Sequence, residues 1–202
     1  MTEPRELRTL YLASGNAGKL KEFRVLAEGS GKSWLLELLA DYGTLPEFEE
    51  GAPTFAENAA GKAFYYSRLS EGVVIADDSG LVVPALGGMP GVHSARYAGP
   101  GASSEQKIAK LLFEMKGLVG ANRNAYFVCV IAAVRDGRAV AVVSEKVDGE
   151  ILDSLRGSDG FGYDPVFFFP PLGKTFAELR AKVKSQHSHR GKAFRRLLEV
   201  LE

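Results

Sequence analysis

The sequence predicts a mixed α/β fold, because segments with strand patterning alternate along the chain with segments of helical spacing. The apolar run Val73–Ala76 is typical of a buried strand, whereas apolar residues three and four apart between positions 55 and 69 are typical of a helix. An Asp-Gly turn at Asp136-Gly137 joins two β-branched runs and indicates a hairpin. Together these observations place the chain in the mixed α/β class.

The composition excludes several classes of protein. The 202 residues include 25 Lys and Arg against 25 Asp and Glu, so the formal net charge is zero. A protein held to nucleic acid or to anionic lipid by its overall field needs an excess of basic residues. A hydrophobic content of 46% is typical of a folded globular chain. We therefore expect a single domain over residues 1–202, with neither a nucleic acid nor a membrane as partner.

The single cysteine and the first residues bear on the cellular setting. Cys129 lies in an apolar run and is expected to be a small buried side chain, and a lone cysteine cannot form an intrachain disulfide. The N-terminal residues include Glu3 and Arg5 where a signal peptide would have an apolar core. These features predict a protein of the reducing cytoplasm.

A glycine-containing turn follows the predicted first strand, around Leu10 and Leu12. Its residues are Ser14, Gly15, Asn16, Ala17, Gly18 and Lys19, and apolar residues at helical spacing follow it. Backbone N–H groups at such a turn, the positive end of the helix and the Lys19 charge could bind a phosphate. The spacing is not that of a Walker A motif. The alternative is a simple turn between a strand and a helix.

Two acids follow the apolar run Val73–Ala76, in the segment Asp77-Asp78-Ser79-Gly80. We expect the strand to end there and to present these residues at its tip. Adjacent carboxylates on an extended chain point to opposite sides, so one could bind Mg²⁺ while the other orients a lysine or a water. The alternative is a polar turn that ends a strand.

The remaining elements follow from local patterns. Thr54 and Glu57 have the spacing of a capping box at the start of a helix over residues 54–70. The Gly- and Pro-rich stretch at 84–101 is expected to have little regular structure. Further predictions are a helix capped by Ser103 or Ser104, strands at 125–134, 139–143 and 166–169, and helices at 176–183 and 191–201.

Two further segments carry side chains suited to a nucleotide. In the loop at 157–164, glycines flank Phe161, whose ring could stack on a nucleobase while Asp164 accepts hydrogen bonds. The alternative places Phe161 in the core. The segment from Lys174 to Arg196 contains eight Lys and Arg residues and one acid. A cap at Ser188 would present Lys184, His189 and Arg190 near the start of the last helix. The alternative is a solvated basic surface.

Taken in order, these motifs resemble the inosine/xanthosine triphosphate pyrophosphatase family, house-cleaning enzymes that hydrolyse aberrant purine nucleoside triphosphates. The motifs that carry the resemblance cover nearly the whole chain: Ser14-Gly15-Asn16 with Lys19, Glu49 before Gly51, Thr54-Phe55, Glu57-Asn58-Ala59 with Lys62-Ala63, Ala76 to Leu81, Gly88 to Tyr97, Gly160 to Pro165 and Lys184 to Gly191. The sequence departs from the family pattern at Ser14, where Thr is common, and at His187, where an aliphatic residue is usual.

The resemblance implies an elongated two-lobed α/β fold, with a central curved mixed sheet flanked by helices and a substrate cleft between the lobes. It also implies a Mg²⁺ cofactor and a homodimer. By motif position, Asp78 would accept a proton and bind the metal with Glu49, Asp77 would help to position water, and Lys62 would contact a phosphate. Residues Ser14 to Lys19 would bind the triphosphate. The nucleotide pocket would comprise Ser79, Phe161, Gly162, Tyr163, Asp164, Lys184, His189 and Arg190.

The expected activity is Mg²⁺-dependent hydrolysis of ITP, dITP and XTP to the monophosphate and pyrophosphate, which removes these nucleotides from the pool. One alternative is a pyrophosphatase of the septum-inhibitor type, which favours modified pyrimidines, although the Phe161–Asp164 and Ser188–Gly191 motifs argue against it. A second alternative is a nucleotide- or RNA-binding module without turnover. That reading needs the catalytic acids to be missing, whereas Asp77 and Asp78 are both present.

Overall fold

The computed structural model describes residues 8–29 and 34–202. In these residues the strands are β1 (Arg8–Leu12), β2 (Trp34–Leu38), β3 (Val73–Val82), β4 (Asn124–Arg135), β5 (Arg138–Ile151), β6 (Phe167–Phe169) and β7 (Lys174–Thr175). The α-helices are α1 (Ala17–Gly29), α2 (Phe55–Ser67), α3 (Ser104–Glu114), α4 (Ala181–His187) and α5 (His189–Leu201). The strands form one open mixed sheet in the order β2-β1-β3-β4-β5-β6-β7. The predicted α/β class is confirmed.

The chain divides into two compact units. The first unit contains the described residues up to Asp78 together with 130–144 and 193–202, and the second contains 79–129 and 145–192. In the first unit a core of small and aromatic side chains includes Ala59, Ala63 and Tyr66 of α2 packed with Val74 of β3. In the second unit the core includes Phe127, Phe167 and Phe176, whose rings contact one another.

The N-terminal part of the sheet is parallel. β1 pairs in parallel with β2 on one side and with β3 on the other, so Leu10 lies opposite both Leu36 and Val73. The predicted strand, turn and helix at the start of the chain are confirmed by β1 and α1. β2 was not predicted, because a five-residue edge strand with three exposed residues has little of the periodicity that identifies a strand.

β3 is longer than the sequence predicts. The expected strand ended at Ala76, with the acids at its tip, but β3 continues through both acids to Val82. Leu81, Val82 and Val83 are buried and provide a second apolar segment after Gly80. The prediction of a strand tip was therefore wrong, because ion pairs and hydrogen bonds from distant residues allow carboxylates to lie inside a buried strand.

The predicted hairpin is confirmed and is longer than expected. β4 and β5 flank the turn, and β5 continues to Ile151 where the pattern had indicated an end at Val143. Asp136 and Gly137 both have positive φ, at 50° and 69°, as a type I′ turn requires. β5 then pairs with β6, which pairs with the unpredicted two-residue β7.

Several helix boundaries differ from the prediction. The predicted helix at 176–183 was wrong: Phe176–Glu178 forms one 3₁₀ turn, Leu179 is extended, and α4 begins only at Ala181. A capping box between Thr175 and Glu178 satisfies backbone N–H groups at the start of that turn. The stretch at 84–101, expected to be irregular, contains 3₁₀ helices at Pro84–Leu86 and Gly91–Arg96.

The predicted caps of α3 and α2 had different outcomes. Ser103 caps α3 with the full reciprocal bond pattern to Gln106. At α2, Thr54 accepts from the Glu57 N–H, but its hydroxyl also donates to the Glu57 carboxylate at 2.6 Å. The second bond of the predicted box, from the Thr54 N–H to the Glu57 side chain, is therefore replaced by a bond between the two side chains. Of the helices in the described part of the chain, none is both long and apolar enough to span a membrane.

Candidate active site

Asp77 and Asp78 lie in the middle of β3 and are buried, with exposed fractions of 0% and 5%. Successive side chains of a strand point to opposite faces, so each carboxylate meets a different set of neighbours. A buried carboxylate is tolerated only where cations or hydrogen-bond donors compensate its lost hydration. The surroundings of these two acids therefore define the first candidate group of the site.

Lys19 compensates Asp77. Its ammonium lies 3.0 Å from Asp77 Oδ2 and donates to the Asp77 carbonyl oxygen at 3.3 Å. The side chain of Lys19 is only 14% exposed, so the pair is weakly screened by solvent. The structure thus joins the predicted phosphate-binding turn to the predicted catalytic strand through one ion pair.

The turn from Ser14 to Lys19 is held by side-chain hydrogen bonds at the start of α1. Asn16 Oδ1 accepts from the Lys19 N–H at 3.0 Å and so caps the first turn of α1. Ser14 is buried, and its hydroxyl accepts from the Asn16 N–H. Gly15, Asn16 and Ala17 are exposed. The backbone of this turn is therefore held in place from inside while its outer side remains accessible.

Lys62 lies on α2 and is buried to 6% exposure. Its ammonium forms an ion pair with Glu50. Burial alone would lower the pKa of Lys62, but the charges of Asp77, Glu50 and Asp78 outweigh that effect and raise it. Glu49, the predicted metal ligand, is exposed, and it is the neighbouring Glu50 that contacts Lys62. The sequence pattern did not single out Glu50 from the other acids between Glu37 and Glu57.

The pKa of Asp78 is raised from 3.8 to about 6. Burial is the largest cause, and the nearby Glu50 charge adds to it, while Lys19, Lys62 and a hydrogen bond from Asn58 oppose it. Asn58 Nδ2 donates to Asp78 Oδ2 at 3.0 Å. A carboxylate with a pKa near 6 can hold or release a proton close to neutral pH, which suits a general base.

The donors around Asp78 also suit a divalent cation. Among the described residues, no group of three or more His, Cys, Asp or Glu side chains is arranged to hold a metal ion. Mg²⁺ does not require such a cage, since it is commonly bound by one or two carboxylates together with waters and substrate phosphates. The charge of Glu50 makes ionisation of Asp78 more costly, and a bound cation would relieve that cost. The residues present therefore fit Mg²⁺.

The second candidate group lies in the second unit, around Phe161. Asp164 is buried, accepts from the Phe161 N–H at 2.8 Å and forms an ion pair with Lys184. The Lys184 ammonium lies 5.1 Å from the centre of the Phe161 ring, and the Arg190 guanidinium lies 5.7 Å from it. Phe161 is half-buried. Its ring thus lies close to two cations and does not belong to the apolar core of the second unit.

The Ser188–Gly191 motif shapes the junction of α4 and α5. Ser188 accepts from the Gly191 N–H at 3.1 Å, which confirms the predicted cap. A Cβ at Gly191 would lie 1.8 Å from the Ser185 carbonyl oxygen, so only glycine fits this close approach. Arg190 Nη2 donates to the Ser79 hydroxyl at 2.7 Å, and the His189 ring stacks on Phe127 with centres 4.7 Å apart. The motif therefore fixes two predicted pocket residues.

Some residues have roles that the sequence did not indicate. Tyr163, predicted in the pocket, belongs to the core of the second unit, and its hydroxyl donates to the Ser94 carbonyl oxygen. Ser104 accepts from the Gly162 N–H at 3.2 Å and so connects the start of α3 to the loop of Phe161. Such a contact joins residues 58 positions apart, which local patterns cannot reveal. His187 is one of the two departures from the family pattern, and the centre of its ring lies 5.6 Å from the centre of the Phe169 ring.

Comparison with known proteins now decides the family. A model of the Ham1 family matches residues 10–200. The chain belongs to the Ham1 family. It is 48% identical to the dITP/XTP pyrophosphatase of Geobacillus kaustophilus over 97% of this chain and 95% of that protein. With the dITP/XTP pyrophosphatase of Thermus thermophilus the identity is 49%, over 95% and 90% of the two chains.

Solved structures agree with the fold. A HAM1 protein from Coxiella burnetii superimposes with a TM-score of 0.84 at 36% identity, covering 96% of this chain and 98% of that one. The resemblance predicted from the sequence motifs is thereby confirmed. The curated relatives also confirm that the chain is an enzyme of this family.

The raised pKa of Asp78 predicts a pH-dependent stability difference. Between pH 3.8 and about 6 the folded protein binds a proton at Asp78 that the unfolded chain releases, so stability falls as the pH rises through this window. A rise from 3.8 to about 6 corresponds to about 3 kcal/mol. Asp78→Asn should therefore increase the metal-free free energy of unfolding near neutral pH by about 2 kcal/mol, and the gain should shrink as the pH falls toward 4.

Urea unfolding of both proteins across this pH range measures the effect. Asp148→Asn is the matched control, because Asp148 also lies in a strand but its side chain is 71% exposed. It should change the stability by less than about 0.5 kcal/mol. A loss of stability in Asp78→Asn at neutral pH would show that the carboxylate is not held at an electrostatic cost.

Proposed function

We propose that the chain is a Mg²⁺-dependent pyrophosphatase that hydrolyses aberrant purine nucleoside triphosphates, namely ITP, dITP and XTP, to the monophosphate and pyrophosphate. The observation that carries the proposal is the buried group of Asp77, Asp78, Lys19 and Lys62, which places two carboxylates beside two cations. Membership of the Ham1 family and the names of the curated relatives support the reaction class. In the cell, such an activity would remove these nucleotides from the pool.

The first group of residues would act on the triphosphate. The backbone of residues 14–18 and the Lys19 ammonium would bind phosphate oxygens at the start of α1. Lys62 would neutralise further phosphate charge. Asp78 would take the proton from the attacking water, and Asp77 would hold Lys19 in place and help to orient the water. Attack of the water would break the bond between the α- and β-phosphates and release the monophosphate and pyrophosphate.

The second group would recognise the base. Phe161 would stack on the purine, while Lys184, His189 and Arg190 supply hydrogen-bond donors. The 6-oxo group of hypoxanthine and xanthine accepts hydrogen bonds, whereas the 6-amino group of adenine would leave buried donors unpaired. Guanine shares the 6-oxo group, so rejection of GTP would depend on position 2 of the base.

The product assay tests the reaction class directly. With dITP, ITP or XTP and Mg²⁺, the expected products are the monophosphate and pyrophosphate in equal amounts, with ATP turned over at least about 100-fold more slowly. Chromatography of the nucleotides with a separate pyrophosphate assay measures both. Release of orthophosphate, equal rates on ATP, a preference for modified pyrimidines, or tight binding without turnover would each contradict the proposal.

Substitutions in the two groups of residues should change different kinetic constants. Asp78→Asn should lower kcat by at least about 100-fold, because the proton acceptor is lost. Lys184→Ala should mainly raise the KM for dITP, by about tenfold, because the donor to the base is lost. Lys192→Ala is the matched control, since Lys192 is an exposed lysine next to the same motif. Full activity in Asp78→Asn would remove Asp78 from its proposed role.

We propose that Mg²⁺ is bound by Asp78 together with Glu49 or Glu50. When bound, the ion would neutralise phosphate charge and polarise the bond that breaks. Thermal unfolding gives a readout besides activity: MgCl₂ should raise the Tm of the wild type and not that of Asp78→Asn. Glu49→Gln and Glu50→Gln, measured separately, distinguish the second ligand. An equal rise in Tm with and without the Asp78 carboxylate would exclude this site.

We also propose that the enzyme acts as a homodimer, as the resemblance to the family implies, and in the cytoplasm, as its single cysteine and N-terminal residues suggest. Large apolar side chains on the surface of the second unit include Phe113 and Val119, exposed to 77% and 74%. Sedimentation velocity should give a species of about twice the chain mass of 21.8 kDa. A single monomeric species at assay concentrations would contradict the dimer without affecting the proposed reaction.

A further inference from the structure

Asn58 lies on α2 and is buried to 1% exposure, next to the carboxylate of Asp78. Its side-chain amide makes three hydrogen bonds. Oδ1 accepts from the Ala52 N–H at 3.0 Å, and Nδ2 donates to the Ala52 carbonyl oxygen at 3.2 Å and to Asp78 Oδ2 at 3.0 Å. Both N–H groups of the amide are therefore used, one on the backbone and one on the carboxylate.

These partners fix the orientation of the amide. The Ala52 N–H can only donate, so it requires the oxygen of the Asn58 side chain. A reversed amide would place that oxygen against the Ala52 carbonyl and the Asp78 carboxylate, both of which are acceptors. The N–H that faces Asp78 is thus determined by the backbone of residue 52, and the direction of the carboxylate is determined in turn.

Asn58 also acts on the segment that contains the acids of the site. Residues 49–52, here called the acidic loop, include Glu50, which forms an ion pair with Lys62. Asn58 and Lys62 lie four positions apart on α2 and therefore on one face of the helix. One helical face thus contacts the acidic loop at Ala52 and Glu50, and through Asn58 it also contacts Asp78.

We propose that Asn58 is a positioning residue for the reaction at Asp78, a role that rests on the proposed function. Its amide orients the Asp78 carboxylate and holds the acidic loop in a fixed position relative to that carboxylate. Asn58 contacts neither the phosphates nor the base in this assignment. Its loss should therefore lower kcat and leave the KM for dITP nearly unchanged.

Two substitutions separate positioning from mere support of the fold. Asn58→Asp keeps the size of the side chain and the acceptor for the Ala52 N–H, so it keeps one of the two bonds to the acidic loop, but it removes the donors to the Ala52 carbonyl oxygen and to Asp78 and places a carboxylate against Asp78. Asn58→Ala removes all three bonds. If Asn58 only supported the loop, the Asp variant would be closer to the wild type than the Ala variant. Positioning of Asp78 requires the Asp variant to be at least as impaired.

The experiment measures kcat and KM for dITP at a temperature where circular dichroism gives the folded fraction of each variant, with kcat expressed per folded molecule. Both variants should lose about 10- to 100-fold in kcat, the effect of one hydrogen bond to a charged group, with KM within about twofold. Ser67→Ala is the matched control, because it removes a hydrogen bond of another buried side chain of α2 and should leave kcat unchanged.

Each outcome decides the proposal. A kcat within about threefold of the wild type in either folded variant, or an Asp variant closer to the wild type than the Ala variant, would overturn the role of Asn58 and leave the proposed function intact. A wild-type chain that does not convert dITP to dIMP and pyrophosphate would overturn the proposed function itself, and the role of Asn58 with it.

Discussion

Two adjacent carboxylates buried in the middle of one strand are the constraint on which the rest of the first unit depends. Each charge would cost several kcal/mol in this position without compensation. Lys19 from α1 pairs with Asp77, while Asn58 from α2 donates to Asp78. Lys62, also from α2, acts on both acids through its charge. The two helices and the parallel strands β1 and β3 therefore need to be in place before the acids can be buried.

The compensation is incomplete, and that has a chemical consequence. The pKa of Asp78 remains near 6 although two cations and an amide favour its charged form. Such a carboxylate can exchange a proton near neutral pH and gains stability from any bound cation. In the second unit, Asp164 is compensated directly, because it forms an ion pair with Lys184 and accepts from the Phe161 N–H. Each unit thus contains a buried acid that is compensated by a nearby lysine.

Local sequence patterns predicted the turns and helix caps that are formed by residues close together in the chain. The turn before α1, the cap at Ser103, the type I′ hairpin turn and the cap at Ser188 depend on residues within a few positions of one another. The interior position of Asp77 could not be predicted, because its partner Lys19 is 58 positions away. The contact of Glu50 with Lys62 and the burial of Tyr163 likewise depend on packing. Family motifs indicated which residues matter, but not which neighbours hold them.

The coupling between Lys19 and Asp77 tests the central claim most directly. Urea unfolding of the wild type, Lys19→Met, Asp77→Asn and the double variant gives their interaction free energy. Removal of the cation alone leaves a buried charge uncompensated, so Lys19→Met should be strongly destabilising, by about 3 kcal/mol or more. Asp77→Asn in the same chain should restore most of that loss, with a coupling of about 2 kcal/mol. Effects that add to within about 0.5 kcal/mol would contradict the account.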